Sequence, residues 1–162
     1  EMCGRDWSSD VCSSDPPMHS SQPPSQLSRR SLLLADDDDA VRDGVSDLFA
    51  TLGIEVHAAR NSAEALELIR LRPMHAALLD WHMPGGSGLE ALPRLMERQS
   101  DLPCILYSGE LTEEMERLAL AAGAWAVLKK PVPPDLLRRE VLRALALPHP
   151  YPPELGDGPA TN

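Results

Sequence analysis

The chain has 162 residues, 43% of them hydrophobic, enough to fill the core of one domain of ordinary size. Its formal net charge of −10 at pH 7 argues against a surface built for nucleic acid or anionic lipid, both of which need clustered Lys and Arg. No apolar run approaches the ~20 residues that span a bilayer, and three cysteines, two of them in a polar leader, do not suit a disulfide framework, so a reducing, cytoplasmic setting is expected.

The leader "RDWSSDVCSSD" (residues 5–15) has neither an apolar period nor the layout of a signal peptide. Residues 6–15 resemble the translated read-through of a sequencing-library adapter. Residues 1–30 are therefore expected to be a disordered leader, adapter-like over 5–15 and linker over 16–30. Met18 is then the expected native start, unless the chain is the end of a longer protein. More than half of the 16 prolines lie outside residues 31–147, which reads 148–162 as a Pro-rich tail.

Within 31–147, an apolar strand is expected at Leu32 to Ala35 and runs into four aspartates. Asp38 and Asp39 suit the start of a helix, where negative charge meets the positive end of the helix dipole, with Asp39 as its cap. That helix carries Val41, Val45, Leu48, Phe49 and Leu52 on one stripe and stops at Gly53. A strand at Ile54 to Ala58 follows, then a helix capped by Ser62 and ended before Pro73. The third strand, Ala76 to Leu79, leads through the turn "WHMPGGSG" to a short helix, "GLEALPRLMER", in which Pro93 is tolerable only within the first turn or two. The fourth, Cys104 to Tyr107, makes Cys104 a small buried hydrophobe and precedes a helix running from a Thr112 cap to Gly123. The fifth, Ala124 to Leu128, precedes a helix opening at Pro134 and Asp135 that turns Leu136, Leu137, Val141, Leu142 and Leu145 inward. His57 and His75 are expected to be structural or exposed.

Strands alternating with helices, the strands nearly continuous in apolar residues, predict a doubly wound α/β fold: a five-stranded parallel sheet between two helical layers. In such folds ligands bind beyond the carboxyl ends of the strands. Asp36 and Asp37 follow the first strand, Asp80 the third, Ser108 the fourth, and Lys130 with Pro131 the fifth. Three carboxylates on one rim would force a pKa up or a side chain away, a conflict that a hard cation removes. Mg²⁺, which takes one or two carboxylates with water and phosphate oxygens, matches this supply. No His or Cys joins at metal-ligand spacing, which disfavours zinc.

Residues 31–147 resemble the receiver domain of bacterial two-component response regulators. The resemblance rests on the Asp36-Asp37 pair, "LLDWHMPGGSG" around Asp80, Ser108 in "ILYSG", and Lys130-Pro131. It implies a flavodoxin-like sheet of strand order 2-1-3-4-5. It also implies that Asp80 accepts a phosphoryl group from a sensor histidine kinase or phosphotransfer protein. Asp37, Asp80 and the backbone carbonyl of His82 would bind Mg²⁺ directly, and Asp36 would act through water. Lys130, aimed by a cis Lys130-Pro131 peptide, would pair with the phosphoryl oxygens, and Ser108 would hydrogen-bond one of them. The side chains of His82 and Glu110 would tune how long the phosphoryl group survives. Three positions depart from the family pattern: Val127 stands where an aromatic switch residue is common, Val132 where phenylalanine is frequent, and Ser87 where an acid is frequent. Signalling is therefore expected to use the loop after Ser108, with Gly109 giving it freedom, and a repacking of the fourth helix.

The resulting expectation is a regulatory phosphoacceptor that only assists its own phosphorylation and dephosphorylation and is not otherwise an enzyme. Its output partner would be an unidentified protein, or an upstream part of the same chain; neither nucleic acid nor membrane is expected. Two alternatives stand beside it. One is a phosphate-independent pseudo-receiver scaffold. The other is a haloacid-dehalogenase-like phosphatase using Asp36-x-Asp38, disfavoured by the order of the motifs and the lack of a substrate cap.

Overall fold

A computed structural model describes residues 30–147; the leader up to residue 29 and the Pro-rich tail lie outside the described residues. The elements alternate as β1 (Ser31–Ala35), α1 (Asp39–Ala50), β2 (Glu55–Ala59), α2 (Ser62–Leu71), β3 (Ala76–Asp80), α3 (Gly88–Arg98), β4 (Cys104–Ser108), α4 (Glu113–Ala121), β5 (Ala126–Lys129) and α5 (Pro134–Leu145). The strands form one parallel sheet of order β2-β1-β3-β4-β5, as the resemblance implied.

Strand alternation divides the core between the two faces. Leu33, Ala35, Leu79, Trp81, Cys104 and Leu106 pack with Leu92, Leu95 and Ala119, toward α2, α3 and α4. Leu32, Leu34, Leu78, Ile105 and Tyr107 pack with Phe49, Val141 and Leu145, toward α1 and α5. Leu32, Leu34, Leu78 and Leu106 are fully buried, and each such side chain contributes roughly 1.5–3 kcal/mol relative to exposure. Edge strand β2 differs, since its first four residues are exposed or half-buried. Among the described residues it pairs only with β1 and lacks the second neighbour that would bury it. His75 is buried with its Nδ1 3.1 Å from the Ser31 amide, a structural role.

Local hydrogen bonds correct several expected boundaries. Helix α1 is capped by Asp38, not Asp39: Asp38 is extended (φ −88°, ψ 115°) and accepts from the Ala40 and Val41 amides, while Asp39 is already helical and pairs with Arg42. Asn61, not Ser62, caps α2, accepting from the Glu64 amide. Strands β2 and β5 begin later than the apolar runs suggest, because the Ile54 amide bonds Phe49 O (3.2 Å) and the Ala124 amide bonds Ala119 O (2.9 Å). Both bonds close the preceding helix in a Schellman turn around a left-handed glycine, Gly53 (φ 75°) and Gly123 (φ 102°). Thr112 caps α4 as expected. Pro93 falls in the second turn of α3, and Ser87 caps that helix in a reciprocal capping box with Glu90, a role for this departure from the family pattern that the sequence reading did not assign.

Candidate functional site

The carboxyl ends of β1, β3, β4 and β5 share one rim, and the register sets which side chains meet there. Continuing the alternation of each strand, Asp36 lies on the face of Leu32 and Leu34, Asp80 on that of Leu78, and Tyr107 on that of Ile105, all toward α1 and α5. Asp80 stands opposite Tyr107 in the β3–β4 ladder, and Ser108 opposite Lys129 in the β4–β5 ladder.

Asp36 is fully buried. One carboxylate oxygen accepts the Asp38 amide at 2.9 Å. The other accepts both the Tyr107 hydroxyl and the Lys130 ammonium, the latter at 3.0 Å. The buried Arg42 guanidinium donates to the Asp36 carbonyl at 2.6 Å and so fixes the backbone at this turn. Asp80 is buried and pairs through Oδ1 with Lys130 Nζ at 2.8 Å. Asp37 is exposed, yet Asp36, Asp37 and Asp80 each offer an oxygen within 4.8 Å of the others'. The Lys130-Pro131 peptide is cis, and the Lys130 amide is held by Ser108 O at 2.8 Å.

Of the residues singled out from sequence, Asp36, Asp37, Asp80 and Lys130 therefore come together. Ser108 stands at the same rim, fully buried, but its hydroxyl is engaged with Glu110, 3.2 Å from both the amide and the carbonyl. The His82 side chain is exposed, and the residue lines a cavity of about 440 Å³ with Asp37, Trp81, Met83, Pro84, Gly86 and Ser87. Gly109 and Glu110 are exposed. Val127 is half-buried against the core on the α2–α3–α4 side, away from Asp36 and Tyr107.

A family model described as the response regulator receiver domain matches residues 32–142. The chain belongs to the receiver domain family. It is 31% identical over 136 residues to the response regulator protein PilR of Pseudomonas aeruginosa, covering 84% of this chain and 30% of that protein. It is 35% identical over 116 residues to the regulatory protein AtoC of Escherichia coli, covering 72% of this chain and 25% of that one. The receiver thus spans under a third of these relatives' length. A solved CheY-like receiver from Methanospirillum hungatei superposes with a TM-score of 0.69 at 29% identity, covering 72% of this chain and 93% of that one.

Receivers bind Mg²⁺ at an acidic pocket, and the donor set here fits: three carboxylates within 4.8 Å, Asp36 already held by donors of the chain and Asp37 open to solvent. Burial raises the pKa of Asp80; the Lys130 hydrogen bond opposes that rise, while Asp36 and Asp37 reinforce it. For Lys130 burial alone would depress the ammonium, but the hydrogen bonds to Asp80 and Asp36 outweigh it and leave the pKa above the ordinary lysine value. The site is thus a poised set of negative charges with one cation reaching between two of them.

Reading the sequence missed three residues of this receiver's site. Tyr107 is read from sequence only as the end of the fourth strand, although alternation in "CILYS" already puts it on the face of Asp36 and Asp80. Arg42 falls outside the apolar stripe read for α1. Gly88 carried no signal by itself; a Cβ there would stand 2.3 Å from the Asp80 carbonyl oxygen, so only glycine lets α3 begin this close to the end of β3.

Proposed function

We propose that this receiver is switched by phosphorylation, with Asp80 accepting a phosphoryl group from a phosphohistidine on a sensor histidine kinase or phosphotransfer protein. The P–N bond of the donor imidazole breaks as a bond forms from an Asp80 carboxylate oxygen to phosphorus, and the electron pair remains on the imidazole. The observation that carries this reading is the bridging of Asp80 and Asp36 by Lys130 beside the exposed Asp37. Asp37, Asp80 and the His82 carbonyl would hold Mg²⁺ directly and Asp36 would do so through water. When bound, the ion neutralises charge on the carboxylates and the incoming phosphoryl oxygens, as phosphoryl transfer requires. Lys130 pairs with the phosphoryl group, for which its contact with Asp80 is a ready starting position.

The hydroxyl of Ser108 leaves the Glu110 backbone to meet the phosphoryl group, and the loop through Gly109 moves with it. Phosphorylation then biases a pre-existing equilibrium of this loop and α4, since a ligand shifts only states that it contacts differently. Leu118 and Leu120 on α4 are 48% and 49% exposed and Trp125 before β5 is 37% exposed, which supports output through protein contact on this side. A phosphatase with Asp36 as nucleophile is disfavoured, because both carboxylate oxygens of Asp36 are occupied by donors of the chain itself.

Beryllofluoride with Mg²⁺ tests the reading. Fluorescence of Trp81, adjacent to Asp80, should change when beryllofluoride is added to the Mg²⁺-saturated protein, not when it is added without Mg²⁺, and not in Asp80→Asn. An unchanged signal, together with unchanged backbone resonances around Asp80, would favour a phosphate-independent scaffold.

A further inference from the structure

Tyr107 touches two charged residues of this site, Asp36 and Lys130. It sits on β4 immediately before Ser108, 2% exposed, among the apolar side chains that pack toward α1 and α5. Two of its contacts leave that core. Its hydroxyl donates to Asp36, on the same carboxylate oxygen that accepts Lys130 Nζ. Its ring lies beneath the Lys130 ammonium, 4.4 Å from Nζ to the ring centroid, within the range of a cation–π contact.

These contacts limit what the two charged neighbours can do. With Asp38 N–H on one oxygen and Tyr107 and Lys130 on the other, three of about four acceptor positions on the Asp36 carboxylate are filled. Asp36 therefore has one direction left, and little freedom to rotate. Lys130 in turn is held from three sides, by Asp36, by Asp80 and by the tyrosine face. The phenol remains a donor throughout, since burial first, and then its bond to Asp36, hold its pKa far above the ordinary tyrosine value.

We infer that Tyr107 is a positioning residue of this site: its hydroxyl orients Asp36 toward the metal's water shell, and its ring holds Lys130 over Asp80. The inference rests on the receiver reading for its purpose, but the hydrogen bond and its effect on Mg²⁺ stand apart from phosphoryl transfer. Partners that orient the groups around a metal are typically worth about 10–100-fold in its affinity. Tyr107→Phe keeps the ring under Lys130 and deletes only the hydroxyl, so Mg²⁺ affinity should fall about tenfold, the low end of that range.

The experiment is a Mg²⁺ titration of the full chain by Trp81 fluorescence, comparing wild type, Tyr107→Phe, Asp36→Asn and the double variant, with thermal unfolding of each. If Tyr107 acts through Asp36, the roughly tenfold loss caused by Tyr107→Phe disappears in the Asp36→Asn background. A merely structural role would weaken binding equally in both backgrounds, in step with the melting temperature. An equal loss in both, no loss in wild-type background, or a wild type that gives no Mg²⁺ response would each overturn the inference. Phosphoryl transfer to Asp80 is read separately by intact mass. A wild type that binds Mg²⁺ with the predicted coupling but takes no phosphoryl group would sink the receiver reading and leave the positioning role standing.

Discussion

Lys130 Nζ lies 2.8 Å from Asp80 Oδ1, although β4 separates the strands that deliver the two residues. The Lys130 amide donates to Ser108 O at 2.8 Å, which holds this stretch of chain beside the end of β4. Removing the cation leaves Asp36 and Asp80 buried without it. Breaking a fully buried pair costs ~3–5 kcal/mol. The Lys130 side chain retains 27% of its exposure, so Lys130→Gln should cost less, about 2–3 kcal/mol, read by urea unfolding without Mg²⁺.

Asp80→Asn should act in the opposite direction. Burial and the neighbouring Asp36 and Asp37 disfavour the charge on Asp80, and Lys130 only partly relieves it. At neutral pH without Mg²⁺ the variant should melt above wild type. Mg²⁺ at a hundred times its dissociation constant should stabilise the wild type by about 2.7 kcal/mol and the variant by less. Calorimetry with and without EDTA checks both.

Gly88→Ala should be destabilising where Gly109→Ala is not. A methyl at Gly88 meets the Asp80 carbonyl oxygen at 2.3 Å and Leu106 Cδ2 at 2.9 Å, whereas at Gly109 nothing among the described residues lies within 4 Å. Overpacking of this kind costs about 1–3 kcal/mol. Chemical denaturation of the two variants should separate them by that amount.

The sheet was legible because each strand is an apolar run between helix signals. The boundaries that moved did so where two adjacent residues competed for one task. Asp38 and Asp39, like Asn61 and Ser62, can each cap a helix by residue type, and only the backbone angle decides which does. Ile54 and Ala124 are apolar enough for a strand, but their amides are spent on closing α1 and α4. In the site, the acidic cluster and Lys130 were legible from strand-end position alone. Tyr107 was not, since a search for groups after the strands passes over a side chain inside one. The engagement of Ser108 with Glu110 depends on how the loop folds back, which no spacing encodes.

Cys104 is fully buried in β4. Burial pushes its thiol up to about 12, so the native protein should leave Cys104 unalkylated by iodoacetamide at pH 8, and urea should expose it, as peptide mass mapping would show. A thiol pKa raised in the fold means that the folded state binds the proton more tightly. Its stabilising contribution is complete below the ordinary thiol value of about 8.5. It is lost as pH climbs from there through about 12. Over that window wild type should lose stability relative to Cys104→Ala.

The proposed role of Asp80 as phosphoacceptor meets its sharpest test in intact-mass spectrometry after incubation with acetyl phosphate and Mg²⁺. The wild type should gain one phosphoryl group, absent in Asp80→Asn and absent when EDTA removes the metal. An adduct that persists in Asp80→Asn, or a folded, Mg²⁺-binding wild type that stays unmodified, would contradict it.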